Sequence, residues 1–430
     1  MGVRCVSIRA CAALILSAML LGMVPAVSAQ TADVQALRQE IEQLRKEFEA
    51  IQQEYTDRLN ALEASLAASV PAPAPAGADG SLPVYSGATA TSKIFNPDIG
   101  VIGNFISASG ESRGGSESIA PLPFATLQET ELSLQAIVDP YARADFFLAL
   151  GEEGIEVEEG YVTFPTLPGG LLVKVGKFRA NLGRLNAFHN HSLPWIDRPL
   201  VMFNLLGGSP LEPDTGIKDA GVSVSRLIPA GNLFLEATGE VFRGESGAVF
   251  EPSRRSDVSA VGRLRAYADF TEDTNIEIGG SYARGHNGSG VIDDVDVGRF
   301  TTDLWAADAT VRWRPLRQTA YRSFVGRSEF VWSRRDQPGG LQSAFGYYLS
   351  GEYQLARRWF IGGRYDWSER ADDATARDWG NSAVLTFWPS EFTQIRGQYR
   401  RTRYGDDRRM ANELLLQALF TIGAHGAHPF

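Results

Sequence analysis

The chain has 430 residues, 41 of them basic and 51 acidic, for a net charge of −10; 44% of its residues are hydrophobic and two are cysteines. The acidic balance argues against nucleic acid as a partner. Both cysteines, Cys5 and Cys11, fall in an N-terminal leader, so the processed chain has no disulfide, thiolate metal site or cysteine nucleophile.

Residues 1–29 read as a secretory signal peptide. Arg4 and Arg9 precede an apolar run from Ala10 to Val24, and Val27-Ser28-Ala29 is a small-residue cleavage site. Cys11 precedes the apolar core, which argues against a lipoprotein anchor. Residues 30–70 change period: Val34, Leu37, Ile41, Leu44, Phe48, Ile51 and Tyr55 recur at alternating steps of three and four, the seam of a coiled coil. Leu59, Leu62 and Leu66 continue it beyond a stutter. An isolated helix of this length is marginal in water, so the seam calls for partner chains or for a barrel rim to pack on. Phe48 and Tyr55 suit a core wider than a dimer's, which favours a trimer. Residues 71–95 form a linker, and its Val70-Pro71-Ala72-Pro73-Ala74-Pro75-Ala76-Gly77 stretch is extended and semi-rigid.

From 96 to 430 the pattern is apolar–polar alternation interrupted by turns. The strands read as 99–109, 124–139, 142–151, 154–165, 171–186, 220–229, 232–246, 256–271, 275–286, 299–315, 322–335, 343–356, 359–369, 376–389, 393–404 and 411–422. Tight turns (139–141, 167–170, 228–232, 271–274, 355–358, 389–392) alternate with longer polar loops. The fold class is therefore all-β: a 16-stranded antiparallel transmembrane β-barrel preceded by a coiled-coil helix, with lipid and lipopolysaccharide outside and the stalk in the periplasm. Charges on both faces of 155–161 and 173–179 require a bulge near Gly160 or Gly176.

Alternation sends Arg143, Asp145, Arg263, Arg265, Asp308, Arg312, Arg314, Arg327, Glu329, Glu352, Arg364, Asp366, Arg396 and Arg400 inward. Trp305, Trp313, Trp332, Tyr353, Trp359, Tyr365, Trp367 and Phe387 go to the outer face or the strand ends, as an aromatic girdle. The longest loop, about 187–219, holds an apolar stretch (Leu200 to Leu206) in a polar frame, so it should pack against the inside of the barrel. Lys177, Arg179, Arg184, Asp197, Arg198, Asp214 and Lys218 are the candidate pore constriction.

This layout, with Gly176-Lys177-Phe178-Arg179-Ala180-Asn181-Leu182-Gly183-Arg184 ahead of a long loop, resembles the phosphate-selective porin O and P superfamily and its coiled-coil-bearing relatives. The resemblance implies a trimer of 16-stranded barrels, each narrowed by an inward-folded loop. The lysine clusters of the anion-specific members are missing, and the arginines here are interspersed with acids. The expectation is thus a mixed-charge channel for small hydrophilic solutes, anionic or zwitterionic, whose opposed charges set up a transverse field.

His189-Asn190-His191 and His425-Gly426-Ala427-His428 each have a spacing that can put two imidazoles on one metal. The two pairs fall at opposite ends of the barrel, so they are read as solvated or hydrogen-bonded, and no metal or cofactor is expected. Phe430 resembles a barrel-assembly signal, interrupted by Pro429 and two glycines. His286-Asn287-Gly288-Ser289 is a Gly-rich loop without an evident third catalytic member, which argues against an enzyme. The alternative to a channel is a structural tether, a plugged barrel whose stalk contacts the peptidoglycan.

Overall fold

The computed structural model describes residues 97–110, 123–151, 154–207, 216–231, 233–247, 249–288, 291–292, 295–296, 299–318, 320–405 and 410–423, together with Gln43, Lys46 and Gln53. Those last three residues are helical and exposed, and none belongs to the apolar seam. The seam, the leader, the linker, Asp214, His425, His428 and Phe430 lie outside the described residues.

Sixteen strands close into one antiparallel barrel: β1 (Asp98–Gly110), β2 (Ala125–Asp139), β3 (Ala142–Gly151), β4 (Gly154–Leu167), β5 (Leu171–Arg179), β6 (Lys218–Ala230), β7 (Leu233–Phe242), β8 (Ser259–Thr271), β9 (Thr274–His286), β10 (Thr301–Trp313), β11 (Phe324–Gln337), β12 (Gly340–Ala356), β13 (Trp359–Glu369), β14 (Arg377–Ser390), β15 (Thr393–Arg403) and β16 (Ala411–Gly423). β1 pairs with β16 from Gly100↔Gly423 to Gly110↔Glu413, so no edge is left open. Closure matters because unpaired backbone groups facing hydrocarbon cost several kcal/mol each. A two-residue-per-strand hairpin at 291–296 stands apart from the barrel.

The predicted strands match these to within about three residues at each end except for two: the seventh, read as 232–246, ends at Phe242, and the fifth falls short by more. The fifth was expected to run to 186 but ends at Arg179, where the chain leaves the wall. The turn asymmetry is also less regular than expected. Gly151↔Gly154 and Gln337↔Gly340 close tight hairpins at the long-loop end, the second by extending its ladder past the predicted strand ends.

Besides shifts beside the turns, two bulges within the described strands modify the alternation. Along β2, Asn104 pairs with Glu129 and Phe105 with Leu127, leaving Gln128 extra. Along β4, Phe147 pairs with Glu159 and Leu148 with Val157, leaving Glu158 extra. The expected bulge is thus at Glu158, and it turns two consecutive glutamates, Glu158 and Glu159, away from solvent and lipid alike. Gly176 lies in a continuous ladder, but with φ +143°, and a Cβ there would fall 2.2 Å from the Gly160 carbonyl oxygen.

The lipid face is apolar: Leu264, Ile278, Val311, Leu349, Leu385, Leu414 and Leu416 are all exposed. Aromatics mark two heights on it. Trp359 stacks on Phe387 at 4.4 Å near the short-turn end, and Trp332, Phe345, Tyr347 and Trp367 stack near the middle and the long-loop end.

Candidate functional site: the lumen and its inserted loop

Past β5 the chain leaves the wall at Ala180: residues 180–207 enter the lumen, and 216–217 lead into β6. One side chain closes the neck. Asn186, fully buried, donates through Nδ2 to the carbonyls of Ala180 (2.8 Å) and Ile217 (2.9 Å) and accepts from the Ile217 N–H (2.9 Å). The apolar stretch forms a short helix, α1 (Leu200–Leu206), with Pro199 at its N-cap and Gly207 at its C-cap. Its Val201, Met202, Leu205 and Leu206 join Leu182, Leu185 and Trp195 in one buried cluster with the wall residues Ala306, Val331, Ala344, Tyr348 and Val384. The main apolar core of the barrel therefore lies inside it, between loop and wall.

Polar contacts fasten the loop to strands all round the cylinder, which only a segment within the bore can reach. On β7, Glu240 accepts from the Asn181 backbone N–H (2.8 Å) and from its side chain (2.7 Å). Gly183 donates to Ser281 Oγ on β9 (2.7 Å), and its carbonyl accepts from Arg263 on β8 (2.5 Å). Leu185 N–H donates to Glu329 on β11 (3.1 Å), while Arg184 pairs with Glu277 on β9 (2.5 Å). Gly183 has φ +59°, and a Cβ there would fall 1.8 Å from Glu329 Oε1.

The opposite wall holds the loop with arginines. Asp197 is paired by Arg364 on β13 (3.0 Å) and Arg400 on β15 (2.7 Å), and it accepts a third bond from Gln398 (2.5 Å). Arg396 donates to the carbonyls of Leu193 (3.0 Å) and Trp195 (3.1 Å), and Arg364 lies over the Trp195 ring at 4.8 Å. Arg364 and Arg400 are balanced on their far sides by Asp366 (2.7 Å) and Glu413 (2.5 Å). Burial pushes the Asp197 carboxyl up, but the two guanidinium groups prevail and hold it below the ordinary aspartate value.

A third anchor joins the loop to β2 and β4. His189 Nδ1 lies 2.7 Å from Glu131 and 3.3 Å from Glu158, and its Nε2 lies 3.1 Å from Glu159. His191 Nδ1 is 3.6 Å from Glu131, and Arg179 pairs with Glu158. Burial disfavours the imidazolium of His189, yet the Glu158 and Glu131 carboxylates outweigh it and raise its pKa well above the usual histidine range.

The expected constriction residues thus do not form one ring. Arg179, Arg184 and Asp197 are anchors of the three groups just described. Arg198 is buried within the loop, donating to Asn190 Oδ1 (2.8 Å) and to the carbonyls of Leu185 (3.1 Å) and Phe188 (2.5 Å). Lys218 faces inward and pairs with Glu156 (2.9 Å). Lys177 pairs in register with Gly160, on the face of the exposed Phe146, so it lies on the outer side near the rim and only its amine curls back to Val157 O and Glu156.

Most expected lining residues turn inward, but two kinds emerge. Arg263 with Asp308 (2.8 Å), Arg312 with Glu277 (3.3 Å), Glu329, Arg364, Asp366, Arg396 and Arg400 are covered, mostly by the loop. Arg143, 51% exposed and paired with Asp145 at 2.9 Å, and Arg265, 45% exposed and paired with Glu236, remain open to water. Arg327 lies between these strands on β11. Sequence reasoning missed Asn186, Glu129, Glu131, Glu158, Glu159 and Glu277. For Glu236 and Glu240 alternation alone was enough; for Glu158 a bulge hid the face.

No family model matches the chain. An uncharacterized protein of Aquifex aeolicus is 30% identical over 350 residues, a match spanning 71% of this chain and 70% of that protein. The chain belongs to the same family as this Aquifex protein. Among solved structures, OprB of Pseudomonas putida is matched over 77% of this chain and 96% of its own, at 12% identity and a TM-score of 0.53. An anion-selective porin from Comamonas acidovorans is matched over 75% of this chain and 98% of its own, at 12% identity and a TM-score of 0.49. At 12% identity the likeness to OprB is one of fold alone.

Proposed function

We propose that this protein is an outer-membrane porin: a passive diffusion channel for small hydrophilic solutes, narrowed by the inserted segment 180–207 and assembled as a homotrimer. The observation that carries this reading is a loop folded into a closed barrel and fixed to its walls, with ionised side chains left in water beside it. Arg143 and Arg265 present guanidinium groups that can hold a carboxylate or phosphate in transit. Glu236 opposite Arg265 supplies the second sign of charge, which suits zwitterionic as well as anionic solutes. The relationship to the phosphate-selective porin O and P superfamily belongs to this reading, supported by the loop position after Gly176–Arg184.

Planar-bilayer recordings of the full-length protein test it. Stepwise conductance is expected, with a reversal potential in a salt gradient that favours anions modestly, and Arg265→Ala should reduce that preference. Complete absence of conductance from folded protein would instead support the plugged-barrel tether. That second reading draws on the dry wall of β13–β15, where Arg364, Arg396 and Arg400 bind the loop and are closed to solutes.

A further inference from the structure

The third anchor contains more chemistry than an ion pair requires. Glu129 and Glu131 on β2 and His189 and His191 on the loop bring one ligand atom each to within 4.8 Å of one another. These donors come from two distant chain segments and from both kinds of metal-ligating side chain. Bulges at Gln128 and Glu158 flank the group, and bulges re-aim side chains at sites of function.

Glu129 is the decisive residue. It is 3% exposed, and neither of its carboxylate oxygens has a hydrogen-bond partner among the described residues. A carboxylate buried without partner or counter-charge costs several kcal/mol, and proteins keep such groups where something else satisfies them. The surroundings sharpen the deficit: Glu131, Glu158 and Glu159 crowd the same histidines, and Arg179 is engaged with Glu158.

We propose that Glu129, Glu131, His189 and His191 form a structural site for a divalent transition-metal ion, of the zinc class, that pins the inserted loop to the barrel wall. Two imidazoles and two carboxylates are a donor set for zinc, cobalt or nickel; calcium and magnesium prefer oxygen alone. A tetrahedral ion with ligands at about 2.0–2.1 Å sets its donors about 3.4 Å apart. The four atoms therefore need to close by about 1.4 Å at the widest, within the reach of rotamer adjustment. His189 already has the outer contact such sites use, since its Nε2 meets Glu159 while its Nδ1 faces Glu131. The ion would give Glu129 the direct partner it lacks and would take the place of the His189 proton as the counter-charge of Glu131.

The test uses full-length protein, folded in detergent, stripped with chelator and dialysed against Zn2+ or Co2+ alone. We expect one equivalent of either ion per chain by elemental analysis, with visible ligand-field bands for Co2+. Glu129→Gln and His191→Ala should each lower affinity at least tenfold, while His425→Ala/His428→Ala keeps it. In the wild type, Zn2+ should also slow proteolysis within 185–217, and the Glu129→Gln variant should lose that protection. Barrel folding is followed separately by heat-modified gel mobility, so a variant that fails to fold is recognised and replaced by its partner. Sub-stoichiometric binding by folded wild type, or undiminished binding by a folded Glu129→Gln/His191→Ala double variant, would overturn the proposal and leave a histidine–glutamate ion-pair cluster only.

Discussion

Asp197 shows how a single charge can hold a loop in a membrane barrel. It is buried between Arg364 and Arg400, and it accepts from Gln398 as well. Replacing one partner of such a network leaves the others without compensation, on the order of 3 kcal/mol, softened here by Asp366 and Glu413 behind the arginines. Because the folded carboxyl titrates below the ordinary aspartate value, its contribution is complete above that value and is lost as pH falls through the lowered one. The part of the loop's protease resistance that Asp197 supplies should therefore be constant from neutral pH to about pH 4 and be lost only below it. Asp197→Asn should loosen the loop already at neutral pH and flatten that acid transition. A variant with wild-type noise and protease resistance at pH 7 would show that Arg396 and the apolar cluster suffice.

At the scale of elements, two glycines separate the wall from the loop. Gly176 sits in β5 with positive φ, and any Cβ would meet the backbone of β4. Gly176→Ala should thus cost about 1–3 kcal/mol and lower the temperature at which the folded band disappears on a gel. Gly183 also has positive φ, but its Cβ would meet a side chain, Glu329, which accepts from Leu185 N–H. Gly183→Ala should leave the folded band intact and instead detach the start of the loop, read as larger or noisier single-channel steps. The contrast also explains what could be read from residue order. Strands such as Ala142–Gly151 and Trp359–Glu369 were legible to the residue because a period of two is a local signal. The end of β5 was not, because Phe178 and Leu182 look like strand residues until a loop folds back over them. Nor was the gathering of Glu129 and Glu131 with His189 and His191, which depends on a loop crossing the bore and on two bulges that no local pattern announces.

At the scale of the molecule, the barrel is complete without the N-terminal segment. β1 starts at Asp98 and closes directly on β16, so none of the sixteen barrel strands is drawn from residues 31–70. Those residues carry a seam that an isolated helix cannot bury, and a Pro/Ala tether follows them. If that seam assembles three chains, the stalk sets stoichiometry while each barrel conducts alone. Deleting residues 31–70 should then convert a detergent-stable trimer, measured by light scattering or native mass spectrometry, into monomers or a trimer that dissociates at lower temperature. Conductance per barrel should be unchanged, because the loop and its anchors on β7 to β15 are untouched. A deletion variant that stays trimeric with unaltered thermal stability would place the contacts on the barrel walls, where the exposed aromatics Trp305 and Trp332 lie. Loss of conductance together with the stalk would join the two units functionally and would count against three independent pores.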